Sequence, residues 1–562
     1  MGSGKEGTEK RKPDICTIVF MFVWVLTEVL LLLKCRMGYA SYDETLYLTI
    51  PYRFVQGDAM IVDEWNLSQL SSFIIMPYVY AYLKIFGNTA GIYLAYRYFS
   101  TIIWGLAALF FYGRLKKYSL KGAFLASTLF LIYVPYGLMA LSYNAQAILA
   151  ISCAATILLP IGDEIRSWQY YPAGLLFACS VLCCPHVIVI WAAGLIYAII
   201  KRKIKEFVVF TAGAATLAVV LMLFILSRAT VAEVLQVIPV ILDDPYHQQI
   251  SLFGYIKGYI LQIVFGIKHG PVIYGCLAVL SVCIKLDKRR SERKALYYNI
   301  ACLMTAALLV EFLLFNKYIN FFVFPVCVLA FVCFMLSDDI RVKRLFMHYW
   351  IPGIMYSFCI NMASTQYLKA ITAASSVAMI GSVIIAGMVL EEISDTETVI
   401  RMKVPAVLIS VTATLLMLLP LADLRYRFVF WDNEVWESSK EISAGPMKGI
   451  VASSGKVEHY MELYEDAEGF LDYGRKTVFF MRDNWPYLLE GLSCSAYSPW
   501  LQNEIDDYTV DRLIKYYTLD SSRMPDVIYV DREYSDYAGR LIEELDYHKA
   551  ETMESGNSIA IR

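Results

Sequence analysis

The chain is short of charge. Asp, Glu, Lys and Arg supply only 18% of its 562 residues, where a soluble domain carries about a quarter. That deficit argues against one large soluble core. The formal net charge is −2, so there is no general basic field to support nucleic-acid binding. Cysteine occurs thirteen times but builds no framework. Cys16, Cys153, Cys179, Cys183, Cys184, Cys276 and Cys283 lie inside apolar runs, where they act as small apolar side chains. Cys35 and Cys494 lie outside the runs, and no cysteine spacing indicates a disulfide framework or a zinc site. No Gly-rich phosphate loop follows a predicted strand, so no nucleotide is assigned. Repeats and low-complexity segments are absent as well.

What is present is apolar sequence, 58% of the chain, in separate runs of about 20 residues. This predicts an α-helical polytopic membrane protein. The first run, 15–33, follows Lys5, Lys10, Arg11 and Lys12. It ends without a small-residue cleavage site and reads as an uncleaved first span. Basic clusters recur at 10–12, 114–117, 201–203, 288–294, 341–344 and 401–403, and such clusters are retained on the cytoplasmic side. They predict about thirteen spans, the first near 15–33 and the last near 404–420. Spans 171–184 and 185–200 are short and meet at Cys183-Cys184-Pro185-His186, which suggests a dipping hairpin. An odd count puts the amino end inside and everything after Pro420 outside. The division is thus a transmembrane domain over 1–420, with outer loops at 34–89 and 227–269, and an extracytoplasmic domain over 421–562.

In the first outer loop Leu46, Ile50 and Phe54, with Tyr47, repeat at helical spacing, predicting a short helix along the membrane surface. After Leu421 charge becomes frequent. Segments 449–454, 477–481, 526–531 and 558–562 read as strands, and 457–473, 507–518 and 536–548 as helices. That alternation predicts a small α/β domain with a mostly parallel sheet.

The residues with chemistry cluster on the outer side. Asp43-Glu44 follows the first span, and a carboxylate beside a bilayer needs pairing, water or a function. An acidic group there suits a general base for an acceptor hydroxyl. Asp63-Glu64 is a second acidic site, equally readable as loop surface. Arg97 opens the second span within Tyr96-Arg97-Tyr98, where it forks onto a phosphate, orients Asp43 or snorkels as a span-end residue. His186, Lys268, His269, Lys317 and Lys369 fall at outward span ends, where each alone reads as a boundary residue and together they suit an anionic head group. Glu28 and Glu311 lie within apolar runs, where a carboxylate is expensive.

These features resemble the multispanning glycosyltransferases of the C-type fold, which include protein O-mannosyltransferases, lipid A aminoarabinose transferases and oligosaccharyltransferase catalytic subunits. The resemblance rests on Asp43-Glu44, Gly57 and Pro77 in the following loop, Arg97, the hairpin at Pro185 and the outer carboxyl-terminal domain. It implies a C-type (GT-C) fold, Asp43 as catalytic base or acceptor-orienting group, Glu44 as its acidic neighbour, and Arg97 near the active centre. It also implies a polyprenyl-phosphate sugar donor reached from within the bilayer, with a lipid, protein or cell-wall glycan as acceptor. The Asp-x-Asp metal motif of the oligosaccharyltransferase branch is missing between Ala140 and Asn144. No cofactor is therefore expected, and a divalent metal has no motif to support it.

The expected activity is sugar transfer on the extracytoplasmic face of the plasma membrane. One rival is a transporter or lipid flippase using Glu28 and Glu311, although no pair of matching halves is visible. The other is a scaffold whose outer domain binds a partner, for which the bundle is far more membrane than an anchor needs.

Overall fold

The computed structural model describes residues 14–40, 42–160, 165–243, 251–315, 322–364, 367–395, 400–429, 432, 434–469, 473–501 and 505–562. Helix α1 (Ile15–Lys34) starts where the Asp14 carboxylate caps the Cys16 amide. It is followed by α2 (Asp43–Gln56), α3 (Gln69–Phe86), α4 (Ile92–Leu115), α5 (Leu120–Ile132), α6 (Tyr143–Ile157), α7 (Tyr170–Cys183), α8 (Ile188–Ile200) and α9 (Ile204–Leu226). Then come α10 (Val231–Leu242), α11 (Leu252–Ile267), α12 (Pro271–Leu286), α13 (Lys294–Phe315), α14 (Val323–Leu336) and α15 (Ile340–Leu345). The helical part closes with α16 (Ile351–Ala363), α17 (Tyr367–Ala374), α18 (Ser376–Asp395) and α19 (Ile400–Arg427).

Among the described residues six helices, α1, α4, α9, α13, α18 and α19, are long and apolar enough to cross a membrane. The pair α11 and α12, bent by 105°, makes a seventh if it counts as one span. The architecture is consistent with a multi-pass membrane protein. Exposed apolar side chains support this, among them Phe22 and Leu33 on α1, Leu223 on α9 and Leu419 on α19. Each would be costly against water and is at home against lipid.

Full-length helices do not account for about thirteen spans, and proline explains part of the difference. The run at 122–140 stops as a helix at Ile132, because Tyr133 and Val134 turn extended ahead of Pro135. Proline disfavours helical backbone in the residue before it. Cys184 is likewise extended before Pro185, which separates α7 from α8 at the break expected from the sequence. A helix of 13 residues such as α5 rises about 20 Å, short of a hydrocarbon core of about 30 Å. Helices α7 and α9 pack backbone to backbone, since a Cβ on Gly174 would strike the Phe210 carbonyl and one on Gly213 the Tyr171 carbonyl. Small residues permit this approach between apolar helices.

The two stretches expected as outer loops hold helices. Stretch 34–89 contains α2 and α3, and stretch 227–269 contains α10 and α11. Helix α2 is also not a surface helix: every residue from Glu44 to Phe54 is buried. Its Leu46, Ile50 and Phe54 pack with Leu182 of α7 and Leu221 and Ile225 of α9. The apolar stripe that looked suited to lipid is covered by protein instead.

Beyond α19, β1 (Lys440–Glu441) and β2 (Val451–Ala452) form a separate two-stranded antiparallel pair. Helix α20 (Ser454–Gly469) leads into β3 (Lys476–Phe480), β4 (Ser493–Cys494), α21 (Asp507–Leu519), β5 (Val527–Val530), α22 (Ser535–Glu544), β6 (His548–Thr552) and β7 (Ser558–Ile561). The five-stranded sheet has the order β4-β3-β5-β7-β6. It is mixed rather than mostly parallel: β3 runs parallel to β4 and β5, while β7 runs antiparallel to β5 and β6. The closing β6–β7 hairpin supplies the antiparallel half. One hydrophobic cluster runs from Phe20 and Phe111 through Tyr39 and Tyr93 to Tyr460, Phe479 and Trp485. The carboxyl-terminal region therefore shares its core with the helical bundle.

Candidate functional site

The head of α2 is held from three sides. Glu44 is fully buried, and its Oε2 accepts from Arg97 Nε at 2.9 Å, from Arg97 Nη2 and from the Tyr93 hydroxyl. Its Oε1 accepts from the Met139 amide at 2.6 Å. Burial pushes the Glu44 pKa up, but Arg97, Tyr93 and Met139 more than reverse this, so the carboxyl is held below its usual range. Arg97 is also fully buried, and its Nη1 donates to the carbonyls of Cys35 (3.1 Å), Met37 (3.1 Å) and Gly38 (2.7 Å). Its guanidinium stacks 4.7 Å from the Tyr93 ring centroid. One arginine thus ties the end of α1, the linker and the first turn of α2 together.

The linker needs Gly38. Its φ is +59°, and a Cβ there would lie 2.7 Å from Asp432 Oδ2. On either side, Lys34 donates to the carbonyls of Arg425 and Phe428, and the Tyr39 amide donates to Asp432 Oδ2 at 2.9 Å.

The third hold comes from beyond β3. Asn484 is fully buried; its Nδ2 donates to the Tyr42 carbonyl at 2.8 Å, and its Oδ1 accepts from Thr45 Oγ1 at 2.6 Å. Those contacts bracket Asp43, the first residue of α2, which is half-buried. The Tyr47 and Tyr143 rings lie 6.2 Å apart nearby. The Tyr47 phenol is pushed well above its ordinary range, first by burial and then by the neighbouring Tyr143 and Asp43. Asp43 is therefore a carboxylate at the head of an anchored helix, close enough to Tyr47 and Tyr143 for its charge to act on their phenols.

The second acidic pair lies elsewhere. Glu64 is fully buried, 3.2 Å from Arg53 Nη1, and takes the Asn66 amide at 2.9 Å. Burial raises its pKa to about 7 against the pull of Arg53. Arg53 also pairs with Asp58 and donates to the Tyr516 hydroxyl of α21 at 3.0 Å. Asp63 lies 3.1 Å from Arg523 Nε, and its carbonyl accepts from the Tyr516 hydroxyl at 3.2 Å. This network is a joint between α2 and the carboxyl-terminal region.

The remaining predicted cations are spread over several elements. His186 is half-buried in the turn Pro185–Val187, and its Nδ1 has no hydrogen-bond partner among the described residues. Lys268 is exposed at the end of α11 with its Nζ 3.3 Å from the Phe265 ring centroid, and His269 meets the same ring edge-on at 6.1 Å. Lys369 is exposed on α17. The Pro185–Val187 turn, α11 and α17 all pack against α16. Lys317 lies outside the described residues. Of the predicted site, then, Glu44 and Arg97 are in direct contact beside Asp43, and Asp63 with Glu64 forms a separate cluster.

Sequence reasoning missed Asn484, Tyr93, Met139 and Arg53. Asn484 sits 442 residues from its Tyr42 partner, so no local pattern could link them. Arg53 had a visible signal, a lone cation inside an apolar helical repeat. No protein-family model matches this chain, and no curated protein matches it either; the reading of its activity therefore rests on the site itself.

Proposed function

We propose that the protein is a membrane glycosyltransferase. It moves a sugar from a polyprenyl-phosphate donor to an acceptor hydroxyl on the extracytoplasmic face, the side on which this reading puts the carboxyl-terminal region. The observation that carries the reading is the mount around Asp43: a half-buried carboxylate between Tyr42 and Glu44, fixed by Asn484 on one side and the Glu44–Arg97 pair on the other. A base held rigidly near its target needs little reorganisation in the transition state.

The step is one displacement. Asp43 takes the acceptor proton as the acceptor oxygen bonds to the anomeric carbon. The bond from that carbon to the phosphate oxygen breaks, and the polyprenyl phosphate leaves with the electron pair. Glu44 has its oxygens occupied and serves as the anchor of Asp43 rather than as a second base. Arg97 spends its donors on Glu44 and three carbonyls, which supports the orienting role over a phosphate grip. Phosphate contact falls to the cations around α16, namely His186, Lys268, His269 and Lys369, with Lys317 as a further candidate.

The test is reconstitution. Purified protein in proteoliposomes, given a panel of polyprenyl-monophosphate sugars, should release polyprenyl phosphate only when acceptor is present. Release from none of the donors defeats the reading.

A transporter remains the second reading because of Glu28. It is buried in α1 against Gly105 of α4, and its Oε1 has no hydrogen-bond partner among the described residues. Solute or lipid flux across proteoliposomes without sugar transfer would favour it.

A further inference from the structure

The mixed sheet has a topological switch point between β3 and β5. From β3 the chain moves outward to β4, then crosses back through α21 to β5 on the other side of β3. In open α/β sheets such a divergence opens a crevice beyond the carboxyl ends of the two strands, and ligands bind there. Here β3 runs on into Arg482-Asp483-Asn484, and β5 into Asp531. Helix α20 adds His459, whose Nε2 is 3.0 Å from Asp483 Oδ2. Arg482 is exposed, with its guanidinium 5.3 Å from the Tyr42 ring centroid and within reach of the Tyr534 hydroxyl. The loop after β3 reaches the head of α2, because its Asn484 donates to the Tyr42 carbonyl and accepts from the Thr45 hydroxyl, on either side of Asp43.

The chemistry of these groups narrows the ligand. Carboxylates accept from hydroxyls, a guanidinium donates in a fork, and the tyrosine rings offer flat apolar faces with polar rims. Asp483 and Asp531 offset the Arg482 charge, which disfavours a polyanion. β3 and β5 are interior strands, while the free edges of the sheet belong to β4 and β6. A peptide adding as an extra strand has no edge at this place.

We propose that this crevice is the acceptor subsite and takes a neutral saccharide, presenting one hydroxyl to Asp43. The proposal rests on the transferase reading for the word acceptor, but not for the binding itself. Two substitutions test it without disturbing the core. Arg482→Ala removes an exposed fork. Asp531→Asn keeps the side-chain acceptor that caps the Glu533 amide at 2.9 Å, since asparagine caps as well as aspartate.

The probes are an array of neutral oligosaccharides and an array of Ser- and Thr-containing peptides, each presented to labelled full-length protein in detergent. Wild type should bind a subset of the glycans, and each variant should lose about tenfold or more in affinity, as expected for a lost charge-assisted hydrogen bond, with an unchanged melting temperature. Binding to peptides instead, binding to neither array, or glycan binding unchanged in both variants overturns the proposal. Loss of glycan binding in both variants of a protein that transfers no sugar keeps the site and removes the transferase reading. Transfer that proceeds with an unaltered acceptor KM in both variants keeps that reading and removes the site.

Discussion

Glu44 and Arg97 are both fully buried and are joined through two nitrogens of one guanidinium. Removing either partner leaves an uncompensated charge in a dry setting, which costs about 3–5 kcal/mol. Arg97→Met and Glu44→Leu should each lower stability by that order in a reversible denaturation assay. The double variant should lose less than the sum of the two, because neighbours in one network do not add. Additive losses would mean that the pair is not coupled.

Asn484→Ala should act on rate more than on stability. It removes two buried hydrogen bonds, a loss of about 1–3 kcal/mol. A shift of about 1 Å at the head of α2 is expected to lower kcat by about a hundredfold. Acceptor and donor KM should change far less. A variant that keeps wild-type kcat would detach Asn484 from the site.

The Arg53–Glu64 joint makes a contrast between two substitutions. Glu64→Gln keeps one acceptor oxygen, for either Arg53 or Asn66, and is uncharged like the protonated carboxyl favoured by burial, so at neutral pH it should cost less than truncation. Glu64→Ala should be worse by about 1–3 kcal/mol, because it strands buried donors. Since the folded pKa of Glu64 is raised from 4.5 to about 7, its contribution to stability is fully present below 4.5 and is lost as pH rises through about 7. The gap between wild type and Glu64→Gln should move by that sign across this window in urea titrations.

His459 gives a second pH signature. Its hydrogen bond to Asp483 raises its pKa above 6.5, with Asp531 and Glu462 adding to the effect and partial burial opposing it. The stabilisation is therefore present below 6.5 and fades as pH rises through the folded value. Melting curves of wild type and Asp483→Asn should diverge at pH 5.5 to 6 and converge in the alkaline range, as expected for an imidazole with an unperturbed pKa of about 6.5. A pH-independent difference would show that the pair is not titrating.

Local pattern carried much of the secondary structure. The strands after Leu421 and the helices around them fall close to where alternation and helical period predict, because a half-buried strand and an amphipathic helix leave a short-range imprint. The acidic head of α2 was equally visible as Asp43-Glu44. What stayed hidden is long-range. The stripe of Leu46, Ile50 and Phe54 reports that one face is apolar, and it does not say whether lipid or α7 and α9 cover it. Span length failed at Pro135, which breaks an apolar run that hydropathy treats as continuous, whereas the break at Pro185 was legible. Glu64 stayed evenly divided between a second site and loop surface, because Tyr516, which shares Arg53 with it, arrives from the far end of the chain.

The central claim is that Asp43 removes the acceptor proton, and Asp43→Asn tests it most directly. Asparagine preserves shape but cannot take the proton. Sugar transfer from a polyprenyl-phosphate donor, measured in proteoliposomes at saturating acceptor, should fall by about 10²–10⁴-fold, the range that a general base supplies. Melting temperature and donor binding should match wild type. A folded Asp43→Asn protein that transfers sugar at the wild-type rate would contradict the account.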